Sequence, residues 1–424
     1  MNKIQTHSLF LAFTLSLSVT ATSAETLQQA WETVINYDHS LKAVSENTAA
    51  SRLQLEAEKA SRLPSLLLET GYTSLDNAPA TKVPSGYLQV GEKNSLSYKA
   101  TASVPLYTSG RITNNIAAST ESFNAFQLQE LTAVQDLKLS VAESYVAVLR
   151  ARKAIVVANS HVDSLKAHEQ DVHNLYDQGM VPNNDLLAAQ VSLADAQQEA
   201  IKVQNAFDIA QSAFNRFMGR PLEQAVILDE IQLIPVDTSL LSLTEQALKK
   251  RSELEALQKQ VQVFNYRADS IRAESGPQVS LNGGYDYQEN TFTAHEDQWS
   301  INVGMQWKIF DAGLIRNKAS ATTRQAMAVQ EQYDDLANKI SLQVRQFWLD
   351  VQETDKRIPV TEKAIAQAEE NLKVNRDRYE NGLSTNTEVI DAENLRTRSQ
   401  NNKDNAIYDA VLASLRLKRA TGEL

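Results

Sequence analysis

Two periodicities divide the chain. From Ile112 to Tyr176 there is neither proline nor glycine, and Ala, Leu, Gln, Glu and Lys dominate, a composition that favours helix. Leu131, Val134, Leu137, Val141, Tyr145 and Val148 return at helical spacing along it and make one apolar stripe. The pattern predicts a single helix over about 112–177, a rod of roughly 98 Å at about 1.5 Å per residue. A second rod is predicted over about 315–380, with Pro359 marking a kink or local break. A single stripe on so long a rod faces other rods, as in a coiled coil or bundle. Shorter helical patterns follow the rods at about 184–217 and 386–420, and others lie at about 26–62 and 242–274.

The second period is two. Trp299, Ile301, Val303, Met305, Trp307 and Ile309 alternate with Ser300, Asn302, Gly304, Gln306 and Lys308. Leu96, Tyr98, Ala100, Ala102, Val104 and Leu106 alternate with mainly polar residues, and Val279, Leu281, Gly283, Tyr285 and Tyr287 do the same. Strands are therefore expected at about 64–75, 96–108, 277–288 and 298–310. The first, with Tyr72 on its apolar side, is the least regular, because Leu67 falls on the polar side. Alternation over ~9–11 residues with aromatics near the ends suits a membrane strand, apolar toward lipid and polar toward water. One face of a soluble β-sandwich alternates in the same way, so the strands alone leave both readings open. The loops Asp76–Asn94 and Gln288–Gln298 are polar.

The chain is a duplication. Gly110 and Gly313, Gly179 and Gly382, and Gly219 and Gly422 each stand 203 residues apart, while Pro64 and Pro277, and Tyr72 and Tyr285, stand 213 apart. The Tyr-x-x-Gly stretches Tyr176-Asp177-Gln178-Gly179 and Tyr379-Glu380-Asn381-Gly382 read as turns at the tips of two antiparallel helix pairs, 177–184 and 380–387. The fold class is mainly α with a small β part, a repeated helix–strand–strand–helix–helix unit. The first copy covers 25–219, a proline-bearing linker with Pro221 and Pro235 covers 220–241, and the second copy covers 242–424.

Residues 1–24 read as a secretory leader: Lys3, an apolar run from Leu9 to Val19, then Thr22-Ser23-Ala24. No later stretch is long and apolar enough for a membrane helix. There is no cysteine, hence neither a disulfide nor a lipid-bearing Cys. The net charge of −11, or −12 without Lys3, argues against nucleic acid as a partner. Leader and rods together shift the strands toward the membrane reading. Four strands cannot close a barrel, and an open edge in lipid leaves backbone groups unpaired. At least two chains must therefore pool their strands.

With these residues in place, the chain resembles the TolC family of outer-membrane efflux and secretion channels. The similarity runs from about Thr26 to Leu424 and is carried by both Tyr-x-x-Gly turns, the proline-started strands, Phe310-Asp311-x-Gly313 and Phe214-Asn215-Arg216-Phe217-Met218-Gly219. It implies a homotrimer with a 12-stranded outer-membrane β-barrel continued by a periplasmic barrel of helices. It also implies opening at the helix tips, with a periplasmic adaptor (membrane fusion) protein and an inner-membrane pump or ABC exporter as partners. Two acidic positions that ring the family's pore fall on Glu388 and Asp391. A tyrosine that bonds toward an aspartate falls on Tyr379 and Asp185, and an arginine of the same network falls on Ser384, where its charge is missing. Adaptor contacts would fall on Gly179, Met180, Gly382 and Leu383, and lipid-facing aromatics on Tyr72, Tyr98, Tyr285, Tyr287, Trp299 and Trp307.

From the residues themselves, Glu388 and Asp391 share a helix face, where a three-fold assembly would stack two acidic rings that favour cations. Glu388 also fits a capping box with Thr385, and Asp185 fits a first-turn acid facing the helix dipole. No phosphate loop, zinc motif or serine elbow is present. His161 and His168 lie one heptad apart, too far for a shared metal. The expectation is a channel for drugs, toxic compounds or type I secreted polypeptides, with no cofactor, no metal and no enzymatic activity. The alternative is a periplasmic coiled-coil adaptor or structural protein without a pore.

Overall fold

The computed structural model describes residues 24–232 and 239–424. Residues 1–23 of the expected leader and Pro235 of the linker lie outside the described residues. The first pass along the chain gives α1 (Leu27–Tyr37), α2 (His39–Ala60), β1 (Ser65–Ser74), β2 (Ala80–Val83), β3 (Gly86–Gln89), β4 (Asn94–Tyr107), α3 (Arg111–Asp177) and α4 (Asn183–Met218). The second gives α5 (Leu240–Lys250), α6 (Ser252–Ala273), β5 (Gln278–Gln288), β6 (Asp297–Gln306), α7 (Leu314–Glu380) and α8 (Asn386–Thr421). At about 1.5 Å per residue, α3 and α7, 67 residues each, are rods of about 100 Å.

Four features depart from the sequence pattern. The first helix of each copy is broken, at Asp38 and at Arg251. Asp38 takes an extended backbone and its carboxylate accepts from the Leu41 N–H at 2.8 Å, capping α2. The polar loop Asp76–Asn94 contains a small hairpin, β2 paired with β3. The last strand stops at Gln306 rather than near 310, leaving Trp307 and Ile309 beyond the ladder. Finally, α7 runs through Pro359 unbroken. Beside the proline, Arg357 pairs with Asp409 of α8 at 2.7 Å, and the Thr361 hydroxyl donates to the Arg357 and Ile358 carbonyls.

The main sheet is antiparallel in the order β1-β4-β5-β6. Its register sorts the side chains cleanly. Leu68, Ala100, Tyr285 and Trp299 lie across from one another, as do Glu69, Lys99, Asp286 and Gln298 one residue along. Successive strand residues point to opposite faces, so one face is apolar and the other polar, with Lys99 3.6 Å from Asp286 on the latter. Nothing among the described residues covers the apolar face: Trp299 is 77% and Ile301 85% exposed.

The helices form a wall with two tiers along its length. On the sheet side, α6 packs between α3 and α7 while α2 packs on α3. On the tip side α8 fills the place between α3 and α7, and α4 packs on α3. Thus α7 and β6, joined in sequence, form one open edge, and α2, β1 and α4 form the other. Midway, Val34 of α1, Val141, Tyr145 and Leu149 of α3, Phe214 of α4 and Val411 of α8 make the largest core. The linker closes over it: Val226 and Leu228 are buried there, and the Tyr145 hydroxyl lies 2.6 Å and 2.7 Å from the Glu25 and Asp229 carbonyls.

Candidate functional site

The two turns lie side by side at the far end of the rods. Each long helix ends on a glycine in the left-handed region, Gly179 at φ +71° and Gly382 at φ +70°. The following amides turn back onto the helix, Met180 N–H to the Leu175 carbonyl at 2.9 Å and Leu383 N–H to that of Arg378 at 2.8 Å, a glycine-terminated helix end. Open space surrounds both glycines, so backbone conformation and not crowding demands them. Met180 and Leu383 project at the tips, 65% and 68% exposed.

After the second turn, α8 starts with a full capping box. Thr385 Oγ1 accepts from the Glu388 N–H at 3.3 Å, and Glu388 Oε2 accepts from the Thr385 N–H at 3.4 Å and from the Ser384 hydroxyl. The Ser384 bond, with that of the Thr385 amide, holds the Glu388 carboxyl below its ordinary range. Ser384, which carries no charge, thus acts on Glu388. Asp391, one turn on, is exposed and borders a groove of about 900 Å³ with Asn394, Arg398 and, across on α4, Glu199.

The link expected from Tyr379 to Asp185 is not formed. Tyr379 is buried and its hydroxyl has no hydrogen-bond partner. Asp185 is engaged otherwise: its carboxylate accepts from the Asn184 amide at 3.4 Å and its carbonyl from Asn386 Nδ2 at 2.9 Å. Burial, then the Asp185 charge, raises the Tyr379 phenol above its ordinary pKa.

The structure adds residues that motif reading missed. His168 of α3 has Nε2 2.7 Å from Asn386 Oδ1 and packs edge-on against Tyr379, ring centroids 5.5 Å apart. Farther up, Glu393 of α8 is 1% exposed. Its carboxylate accepts from Arg396 at 2.7 Å and Arg376 at 3.2 Å, with His161 3.6 Å away. Burial pushes this carboxyl up, but the nearby His161 ring, the Arg396 hydrogen bonds and the Arg396 charge outweigh it and hold it at about 2. One signal was available: His168 sits between Leu165 and Val172 on the buried stripe, an unusual place for a polar side chain.

At the sheet end, Tyr72, Tyr98, Tyr285, Tyr287 and Trp299 share the apolar face toward the loops. Tyr98 stacks on Tyr287 at 4.4 Å. Trp307 lies past the end of β6, its indole N–H donating to the Ser275 carbonyl at 2.9 Å. It is eight residues from Trp299, about 26 Å of extended chain.

A two-faced sheet with open edges, mounted on a wall of rods, suits a subunit of a membrane-embedded channel. The chain belongs to the outer membrane efflux protein family, whose model matches residues 30–220 and 243–423. It is 25% identical over 302 residues to the alkaline protease secretion protein AprF of Pseudomonas aeruginosa, a match spanning 68% of this chain and 62% of that protein, so under two thirds of AprF's length. It is 22% identical over 433 residues to the outer membrane protein TolC of Vibrio cholerae, spanning 98% of this chain and 95% of that one. The fold is similar to that of the outer membrane protein VceC of Vibrio cholerae, with a TM-score of 0.79 and 18% identity over 93% of this chain and 96% of that one. The protein is an outer-membrane channel protein, and its family comprises channels, not enzymes.

Proposed function

We propose that three copies of this chain pool their sheets into a 12-stranded barrel and their rods into one tunnel. Such an assembly would carry small toxic compounds or secreted polypeptides from an inner-membrane pump or ABC exporter, through a periplasmic adaptor, across the outer membrane. The observation that carries this is the pair of matching open edges, with β6 and α7 on one side and β1, α2 and α4 on the other. An apolar face beside unpaired strand edges is unstable in water and in lipid unless neighbours complete it. The exposed aromatics fit the two interfaces, with Trp299 toward the loops and Trp307 at the helix end of the sheet. This favours a pore over the pore-free adaptor.

In this reading the tips are the closed end of the tunnel. Met180 and Leu383, presented by Gly179 and Gly382, meet the adaptor there. Glu388 and Asp391 of three chains form two acidic rings, with Ser384 keeping Glu388 ionised and Tyr379 and Asp185 lying in the packing behind them. Purified protein in a planar bilayer should give discrete, cation-preferring conductance steps. Glu388→Ala together with Asp391→Ala should reduce the preference for K⁺ over Cl⁻ several-fold, since ringed carboxylates set the sign of the permeant ion. Unchanged selectivity would remove both residues from the pore, and absence of any steps would remove the pore.

A further inference from the structure

We propose that His168, Asn386 and the Asp185 carbonyl form a proton-sensitive latch between the two hairpin tips of one subunit, closed while the imidazole is neutral and released when it is protonated. This rests on reading the tips as the closed end of the tunnel.

The latch joins helices from both repeats. His168 belongs to α3, Asn386 opens α8, and Asp185 lies in the first turn of α4. The ring edge meets Tyr379 of α7, so His168 touches α7 and α8 directly and reaches α4 through Asn386. The hydrogen bonds assign the proton. Asn386 Nδ2 donates to the Asp185 carbonyl at 2.9 Å, which turns Oδ1 toward His168 Nε2 at 2.7 Å. An amide oxygen only accepts, so Nε2 carries the hydrogen and the neutral ring already satisfies the bond.

The surroundings disfavour a second proton. His168 is 5% exposed. Of the charged groups around it, Asp171 on α3 is itself exposed. Arg376 on α7 repels an imidazolium. Glu393 on α8 is bound to Arg376 and Arg396, and Asp185 on α4 offers its carbonyl to Asn386. Tyr379 on α7 is a neutral phenol. His161, two turns up the same helix, differs: it has Glu393 3.6 Å away and Thr397 at 2.9 Å. Burial holds His168 below its ordinary 6.5, the Asn386 bond opposing and Arg376 adding to the effect. The sign follows. The latched form is neutral, so it is fully favoured above pH 6.5. Below that it loses up to about tenfold per pH unit against a released form in which the ring can protonate, until the latched ring itself titrates.

Because the chain has no cysteine, Met180→Cys and Leu383→Cys can carry spin labels that report tip separation in the detergent-solubilised assembly. Distances and planar-bilayer conductance would be measured at about pH 7.5 and about pH 5, a range in which histidine is the side chain that ordinarily titrates. His168→Gln keeps an amide donor in place of Nε2 and cannot titrate, and His168→Ala removes the bond. The expected result is that acid lengthens and broadens the label distances with His168 present and raises the open fraction. The Gln variant should lose at least four-fifths of that response, and the Ala variant should be loose at both pH values. An acid response in His168→Gln equal to that of the parent overturns the latch. Label distances that follow the expected pattern without any conductance support the latch and overturn the tunnel reading.

Discussion

Glu393→Ala should loosen the tip-side bundle more than any other single polar substitution there. The carboxylate is the one anion that Arg376 of α7 and Arg396 of α8 share, beside His161 of α3. Removing one partner of a fully buried pair costs roughly 3–5 kcal/mol, because the charge left behind stays desolvated. Here Arg376 is partly exposed and can recover some hydration, so about 2–3 kcal/mol is expected. Amide hydrogen exchange across the tip-side halves of α3, α7 and α8 should then quicken by about 30- to 150-fold. Exchange within a factor of three of the parent would mean the cluster contributes little. The acid response has a definite window. The folded carboxyl titrates at about 2 against 4.5 ordinarily. Its contribution is therefore complete above pH 4.5 and lost as pH falls through 4.5 toward 2. Milder acid leaves Glu393 charged and acts on His168, so the two groups separate by pH.

Ile301→Arg should prevent stable residence in the outer membrane, while Asn302→Arg, its neighbour, should be tolerated. The two side chains differ only in the face they occupy. Ile301 is 85% exposed on the apolar face and lies across from Gly283. Asn302 lies across from Asn282 on the face that holds Lys99 and Asp286. An arginine on the lipid side of a barrel strand costs about 2–4 kcal/mol near the bilayer midplane, and on the water side little. A three-fold assembly carries that cost three times. Membrane fractionation with carbonate washing reads the difference: the Ile301 variant should be depleted at least tenfold and the Asn302 variant less than twofold. Equal behaviour would mean that the two faces do not see different solvents.

Much of this architecture is legible in the sequence because single physical causes act over long stretches. On the proposed reading, lipid on one side and water on the other impose the alternation from Trp299 to Met305, and the absence of glycine and proline between Ile112 and Tyr176 leaves a helix nothing to stop it. The tip glycines announce a left-handed residue. Other features depend on tertiary packing. Helical composition continues across Asp38 and Arg251, and the chain breaks there because α1 docks on the core around Tyr145 while α5 docks on that around Ile340. The β2–β3 hairpin did have a local signal, Pro84-Ser85-Gly86 between short apolar runs, masked by the polar residues around it. Pro359 alone predicts a kink or break, yet the helix continues through it, with Arg357 beside it ion-paired to Asp409 of α8. The tip network was the least legible. Its members are single polar residues on four helices, and Asp185 proved to give its carbonyl to Asn386 in place of a carboxylate bond to Tyr379.

The central claim is that one subunit supplies too few strands and too few rods to close anything, and that identical subunits finish both. Native mass spectrometry of the detergent-purified protein, with the micelle removed in the gas phase, weighs the closed assembly directly. The expected species is one carrying three times the mass of the processed chain, with no stable monomer or dimer. A protein that stays monomeric, and stays soluble when detergent is withdrawn, would contradict the account.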